Sequence, residues 1–179
     1  MPDVLLVVDM LDGFLTPGRA LYCGDGARAI IPGVRALIER ELARGSRIIF
    51  IHDTHDPDDR EFEMFPPHCI RGTQEAELIP ELADLPGEHL RKRRYSAFFE
   101  TDLDERLREA GPSKVMICGV CTDICVLHTA ADARNRDYRV EIDASCVASF
   151  DPAAHVWALQ HARRILGVHV VGMEEPVEA

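Results

Sequence analysis

Basic charge is what this sequence has too little of. Across 179 residues, 20 Lys and Arg stand against 31 Asp and Glu, a formal net charge of -11. That balance argues against a nucleic-acid or anionic-membrane partner, either of which needs a basic face, and favours a small neutral or cationic ligand. Long apolar runs are also missing. The run Val4–Val8 is too short for a membrane span or a secretory signal, and Met1-Pro2-Asp3 carries no basic residue ahead of it, so a cytoplasmic protein is expected. No repeat, linker or low-complexity tract interrupts the chain, and 46% hydrophobic residues suffice for one substantial core. A single domain over residues 1–179 is expected, with no disulfide or metal needed as a staple. No second cysteine pair accompanies Cys118-Gly119-Val120-Cys121, which argues against a zinc ribbon or a thioredoxin-like redox motif. In a reducing compartment the six cysteines read as core residues or catalytic groups, and nothing marks Cys23, Cys69 or Cys146 as reactive.

What is present is alternation. Apolar, β-branched runs at Val4–Val8, 47–52, 114–120 and 139–142 read as buried parallel strands, with shorter candidates at 88–91 and His169–Val171. Helical patterns lie at 34–44 after Pro32-Gly33, at 104–110, at 123–136 and at 153–166, the last with Asp151 as N-cap and Pro152 in its first turn. Strands alternating with helices imply βαβ crossovers. The expected fold is therefore a three-layer α/β one, a doubly wound, mainly parallel sheet with helices on both faces. Residues 53–73 lack periodicity and are rich in charge, proline and aromatics; an irregular segment that long is usually functional.

Cys125 is the centre of the chemical reading. The strand at 114–120 delivers it, through Cys121-Thr122-Asp123-Ile124, to the first turn of a helix at the carboxyl edge of the sheet, where open α/β folds bind ligands. Backbone N–H groups and the helix dipole favour an anion there, so a lowered thiol pKa is expected. Asp9 follows an apolar strand and reads either as a desolvated base or as a cap of the next turn. In Lys92-Arg93-Arg94-Tyr95-Ser96-Ala97-Phe98 a basic cluster abuts an aromatic stretch. One of these cations is expected to turn inward, where a lysine beside a cysteine and a carboxylate would steady a thiolate; the alternative is a surface cluster. Asp53 and His55 point to the same side of an extended chain. With His68 and Glu61 they offer the ligands a divalent transition metal prefers, with positions left for water or substrate, unless they are polar loop groups bonded to backbone.

Together, Asp9, Lys92 and Cys125 resemble the Asp-Lys-Cys triad of the isochorismatase-like cysteine hydrolases, the family that contains the nicotinamidases. The resemblance is carried by Val7-Val8-Asp9-Met10-Leu11-Asp12-Gly13-Phe14, by Asp53-Thr54-His55, by Phe65-Pro66-Pro67-His68-Cys69-Ile70-Arg71-Gly72-Thr73, by Lys92 through Phe98, and by Gly119-Val120-Cys121-Thr122-Asp123-Ile124-Cys125-Val126. It implies the isochorismatase-like fold and selects Cys125, rather than Cys121, as nucleophile. It further implies a cis peptide between Val120 and Cys121, with the N–H groups of Cys121 and Cys125 facing an oxyanion. Cys121 stands where the family often has alanine. The nicotinamidase branch binds a metal through Asp-x-His and a later histidine, which here gives Asp53, His55 and His68, with Glu61 as a fourth ligand; zinc comes first, with iron or manganese as alternatives. Phe14 and Phe65 would wall a substrate ring. Asp12-Gly13 departs from the frequent Asn-Asp, which leaves the local hydrogen bonding open. The implied activity is hydrolysis of a small amide through a thioester, foremost nicotinamide to nicotinate and ammonia. Isochorismatase-type vinyl-ether hydrolysis and cleavage of carbamoyl or other amides are the alternatives within the family, and a non-catalytic assembly domain is the alternative outside it. Relatives commonly form dimers or tetramers, so a homo-oligomer is implied.

Overall fold

Both faces of the central strands are apolar, and this dictates how the sheet is covered. β1 (Val4–Val8) is buried along its whole length, which requires a layer packed on either side. A computed structural model describes residues 3–173, so the two ends of the expected 1–179 domain lie outside the described residues. β1 joins β2 (Arg47–Asp53), β3 (Glu88–Lys92), β4 (Val115–Val120), β5 (Val140–Ala148) and β6 (His169–Val171) in one six-stranded sheet of order β3-β2-β1-β4-β5-β6. All the pairings are parallel. Leu5, Val7 and Phe50 point to one face, beneath α1 (Asp12–Leu15), α2 (Asp25–Ala29) and α3 (Ile31–Ala43). Leu6, Ile49 and Ile117 point to the other, beneath α4 (Leu103–Ala110), α5 (Leu127–Arg134) and α6 (Pro152–Arg164). The doubly wound three-layer arrangement expected from the alternation is the one observed.

Several boundaries differ from the sequence pattern, each for a local reason. β5 runs well past residue 142 because Asp143 still pairs with β6 and, beyond a register shift that passes over residues 143–146, Val147 and Ala148 pair again with β4. α3 starts at Ile31, with Pro32 in its first turn, where a missing N–H costs nothing. The helix expected over 123–136 opens as one π-helical turn, Thr122–Val126, before α5 begins. α1 and α2 are too short to show a period. α6 keeps its expected cap, since Asp151 accepts hydrogen bonds from the N–H groups of Ala153 and Ala154 at 2.9 and 3.1 Å.

Strand order reverses between β1 and β4. From β1 the chain builds toward one edge through β2 and β3, and from β4 toward the other through β5 and β6, so a crevice opens beyond the carboxyl ends of β1 and β4. Gly119 lets these two strands approach there. It sits at φ +111°, and a Cβ on it would lie 2.0 Å from the Val8 carbonyl oxygen. Gly119→Ala is therefore expected to cost about 3 kcal/mol or more, through both strain and the clash. Gly26→Ala, on α2 with no atom within 4 Å of a Cβ, is expected to hold or raise stability. Urea unfolding of the two variants checks this; equal midpoints would contradict the close approach of β1 and β4.

Candidate active site

Four chain segments converge on the crevice. Lys92 closes β3 in register with Asp53, which closes β2; Asp9 follows β1; and Cys125 lies in the π-helical turn after β4. Lys92 is the cation that turns inward. Its Nζ is fully buried and lies 3.0 Å from Asp9 Oδ2, 3.1 Å from Asp53 Oδ1 and 3.4 Å from Cys125 Sγ. Arg93 instead pairs with Glu100 at the surface. Asp9 adopts φ +53°, a conformation costly for a residue with a side chain. Its carboxylate does not cap the following turn: Oδ1 accepts the Asp53 N–H at 2.9 Å and Oδ2 faces Lys92. The peptide between Val120 and Cys121 is cis.

Burial is the largest influence on each of these groups, and neighbouring charge overrides it at Asp53 and Lys92 but not at Asp9 or Cys125. It pushes the Asp9 carboxyl up, and the ammonium of Lys92 only partly opposes it. Burial pushes Asp53 the same way, yet Lys92, His55 and His68 together hold it well below the usual carboxylate range. Two neighbouring acids are thus driven apart, which leaves Asp9 as the one able to accept a proton. Lys92 keeps its charge, because Asp53 and Asp9 outweigh the burial that disfavours it. The thiol departs from expectation. Burial raises the Cys125 pKa well above normal, and the charges of Asp9 and Asp53 add to the effect that Lys92 opposes. A third buried anion beside two carboxylates costs more than one ammonium and a helical turn recover. Burial at this position therefore favours the neutral thiol of Cys125 over a free thiolate.

Asp53 also faces a second cluster. Its Oδ2 lies 2.9 Å from His55 Nε2 and 3.2 Å from His68 Nε2, while Glu61 Oε1 lies 3.9 and 3.8 Å from the same two nitrogens. One ligand atom from each of Asp53, His55, Glu61 and His68 falls within 4.8 Å of the others, and all four residues are buried. These separations suit a divalent ion bound at about 2.0–2.2 Å by imidazole and carboxylate. The donor chemistry fits as well, since His68 Nδ1 donates to the Pro66 carbonyl at 2.8 Å and leaves Nε2 directed at the cluster. The reading of these residues as loop groups satisfied by backbone is not what the geometry shows.

Sequence reasoning missed the group that orients His55. Asp59 Oδ2 lies 3.0 Å from His55 Nδ1, Asp59 Oδ1 accepts the Glu61 N–H at 2.9 Å, and Arg94 donates to both oxygens at 2.8 and 3.0 Å. One carboxylate thus fixes a histidine ring and caps the turn Arg60–Glu63 that presents Glu61. Burial raises its pKa, but these bonds bring it down to about 2. Asp59 ends the run Asp56-Pro57-Asp58-Asp59, in which nothing local distinguishes the acid that folds inward.

A cavity of about 270 Å³ joins the two clusters. Asp9, Cys125, Asp53, Glu61 and His68 line it with polar groups, and Phe14 and Phe65 line it with apolar ones. Tyr95, Ile124 and Phe150 complete that wall without having been legible as pocket residues. Phe14 tilts against the His68 ring at 5.8 Å and Phe65 meets it edge-on at 6.4 Å. The departure at Asp12-Gly13 has a packing explanation. Asp12 accepts from Thr16 and pairs with Arg19, while a Cβ at Gly13 would lie 2.8 Å from Cys69 Sγ.

The isochorismatase domain matches residues 3–175 of this chain. Nicotinamidase PncA from Bacillus subtilis superposes with a TM-score of 0.89 at 38% identity, covering 96% of this chain and 99% of that one. Pyrazinamidase of Pyrococcus horikoshii, solved in complex with zinc, gives 0.88 at 32% identity over 97% and 100% of the two chains. N-carbamoylsarcosine amidase from Thermoplasma acidophilum gives 0.86 at 32% identity over 99% and 100%.

Both His55 nitrogens face carboxylates. Burial opposes its charge, but the bonds to Asp53 and Asp59 lift its pKa to about 9. At pH 7 the ring is therefore an imidazolium, and a metal binding at Nε2 must displace a proton. Zinc titrated calorimetrically in buffers of different ionisation heat should release about one proton from His55 at pH 7, and none from it above pH 10. Asp59→Asn should weaken zinc binding roughly 10- to 100-fold; an unchanged affinity would show that Asp59 does not orient the ligand.

Proposed function

The chain belongs to the isochorismatase family, and within that family of hydrolases we propose that it is a metal-containing cysteine amidohydrolase whose foremost substrate is nicotinamide. The observation that carries the reading is the contact of one buried ammonium with Asp9, Asp53 and Cys125, which joins a nucleophile and its base to a metal-ligand cluster in one cavity. Likeness to a nicotinamidase and to a zinc-bound pyrazinamidase supports it.

In this mechanism Asp9 takes the thiol proton as the Cys125 sulfur attacks the amide carbon. Concerted transfer suits a thiol that does not ionise at rest. The carbonyl oxygen becomes an oxyanion facing the N–H groups of Cys121 and Cys125, donors of a kind worth about 3 kcal/mol each. Lys92 remains charged throughout and balances the negative charge as it moves from carboxylate to sulfur to oxygen. Protonated Asp9 then donates to the amide nitrogen, the C–N bond breaks and ammonia leaves. Asp9 next takes a proton from water, whose oxygen attacks the thioester carbon; the C–S bond breaks and the thiol re-forms. Asp53, His55, His68 and Glu61 would hold a divalent ion, which would supply a Lewis acid for a heteroaromatic ring nitrogen. Zinc is the foremost candidate, with iron and manganese as alternatives. Phe14 and Phe65, which line the cavity, would wall the ring.

The same reading includes one domain, a cytoplasmic location and assembly as a dimer or tetramer. Six free thiols are compatible with a reducing compartment, and no helix among the described residues is long and apolar enough to cross a membrane. Exposed Trp157, Val156 and Ile165 offer apolar surface for self-association. A carbamoyl amide is the second reading, favoured by the likeness to N-carbamoylsarcosine amidase. Isochorismatase-type hydrolysis would leave the buried metal-ligand cluster without a use.

Ammonia release from nicotinamide, pyrazinamide, N-carbamoyl amides and unrelated small amides, with and without chelator, tests the assignment. Nicotinamide turnover that chelator abolishes is expected; turnover of carbamoyl amides alone would move the assignment to the second reading. Cys125→Ala should lower kcat on the order of a thousandfold or more while keeping fold and metal, and retained ammonia release would remove Cys125 as nucleophile. His68→Ala should lose metal and raise KM; full metal content in that variant would take His68 out of the ligand set.

A further inference from the structure

The cavity wall holds a pair of thiols that the mechanism does not use. Cys23 lies on the loop between α1 and α2, and Cys121 is the first residue beyond β4. Although 98 residues apart in sequence, their sulfurs are 3.4 Å apart. Both line the cavity, both are free, and both are buried. Cys23 Sγ also reaches the Leu21 carbonyl at 3.5 Å, so the Cys23 thiol donates there while the Cys121 thiol donates to Cys23. The sequence reading that gave Cys23 no role did not bring it to this cavity, because its partner is distant in the chain.

We propose that Cys23 and Cys121 form a reversible disulfide on exposure to a small peroxide, and that this bond closes the substrate cavity. One thiol sulfur attacks a peroxide oxygen, the O–O bond breaks, one water leaves and a sulfenic acid forms. The other sulfur then attacks that sulfur, the S–O bond breaks and a second water leaves. Two thiols lose two hydrogen atoms in all, and one hydrogen peroxide is reduced to two waters. Hydrogen peroxide is small enough to enter a cavity of about 270 Å³. Formation is expected to be slow, because the hydrogen bond to Cys23, with burial, holds the Cys121 thiol protonated.

Disulfide sulfurs are bonded at about 2.0 Å, so this pair must close by about 1.4 Å from its present 3.4 Å. Cys121 is anchored at the end of a fully buried strand, whereas residues 16–24 include exposed positions and only Cys23 among them is buried. The motion therefore falls on the loop, which carries Leu21 and Tyr22 on the cavity wall, and draws them inward. Any strain passed to Cys121 displaces one of the two proposed oxyanion donors. The bond itself stands on geometry alone; its effect on substrate rests on the amidohydrolase reading.

Zinc-loaded Cys125→Ala protein, which lacks the competing nucleophile, is treated with hydrogen peroxide. Of six cysteines that variant keeps five, and thiols counted after denaturation should fall from five to three, with loss of two hydrogens in the intact mass and reversal by dithiothreitol. Adding Cys23→Ser or, independently, Cys121→Ala should leave four thiols before peroxide and abolish the paired loss of two thiols and two hydrogens after it. Five thiols retained, or a paired loss that persists in both double variants, would overturn the bond. Nicotinamide affinity of the Cys125→Ala protein should drop at least tenfold on oxidation, and an unchanged affinity would overturn the closure. Should the reduced protein bind no nicotinamide, the substrate assignment fails while the thiol count still decides the bond.

Discussion

A single buried ammonium holds the centre of this molecule together. Taking Lys92 out of water carries a desolvation cost of several kcal/mol, and it is tolerated because Asp9 and Asp53 lie at 3.0 and 3.1 Å. Those carboxylates need the lysine equally, since two unpaired acids in one cavity could not both ionise. The arrangement separates their roles. Asp53, also bonded to His55 and His68, stays an anion and faces the metal-ligand cluster; Asp9, with fewer cationic partners, is the acid pushed up and the one within reach of a thiol. Base strength and metal affinity are thereby linked through the two oxygens of one side chain.

That linkage needs rigid supports, and the sheet provides them. Lys92 and Asp53 are the paired last residues of adjacent strands, Asp9 follows the next strand, and Cys125 follows the one beyond. Strand spacing sets the distances between their backbones before any side chain is chosen. Because β1 and β4 are buried along their length, the functional groups gain a scaffold that moves little. Close approach at Gly119 and the positive φ of Asp9 are local strains that the surrounding layers absorb. The loop groups rely on a different support, in which Arg94 and Asp59 hold the His55 ring and the turn that carries Glu61.

The parts that sequence reading recovered and missed divide along a physical line. Apolar runs such as Val4–Val8 announce buried strands because each residue contributes its own burial. Even the weakly apolar β3 was recoverable, and it proved decisive, since it ends on Lys92. The second half of β5 was not, because an irregular stretch carrying the polar Asp143 and Ser145 separates Ile142 from Val147 and Ala148, which pair again with β4. The direction of the Cys125 pKa came out reversed for a similar reason. A helix start is a local feature that favours thiolate, but burial beside Asp9 and Asp53 is not local, and it outweighs the turn.

Residue order alone settled which segments become strand or helix, that their alternation builds a doubly wound sheet, and which chemically capable residues sit at strand ends. Periodicity, β-branching and motif spacing act over a few neighbouring positions, so they survive in a linear string. Tertiary structure alone decided the partnerships: Lys92 between two acids, Asp59 rather than Asp58 behind His55, Cys23 against Cys121. Each of these depends on strand order, register or loop closure, and on the low-dielectric setting those create. Contacts and charge energies of that kind are properties of positions in space, and no stretch of chain carries them by itself.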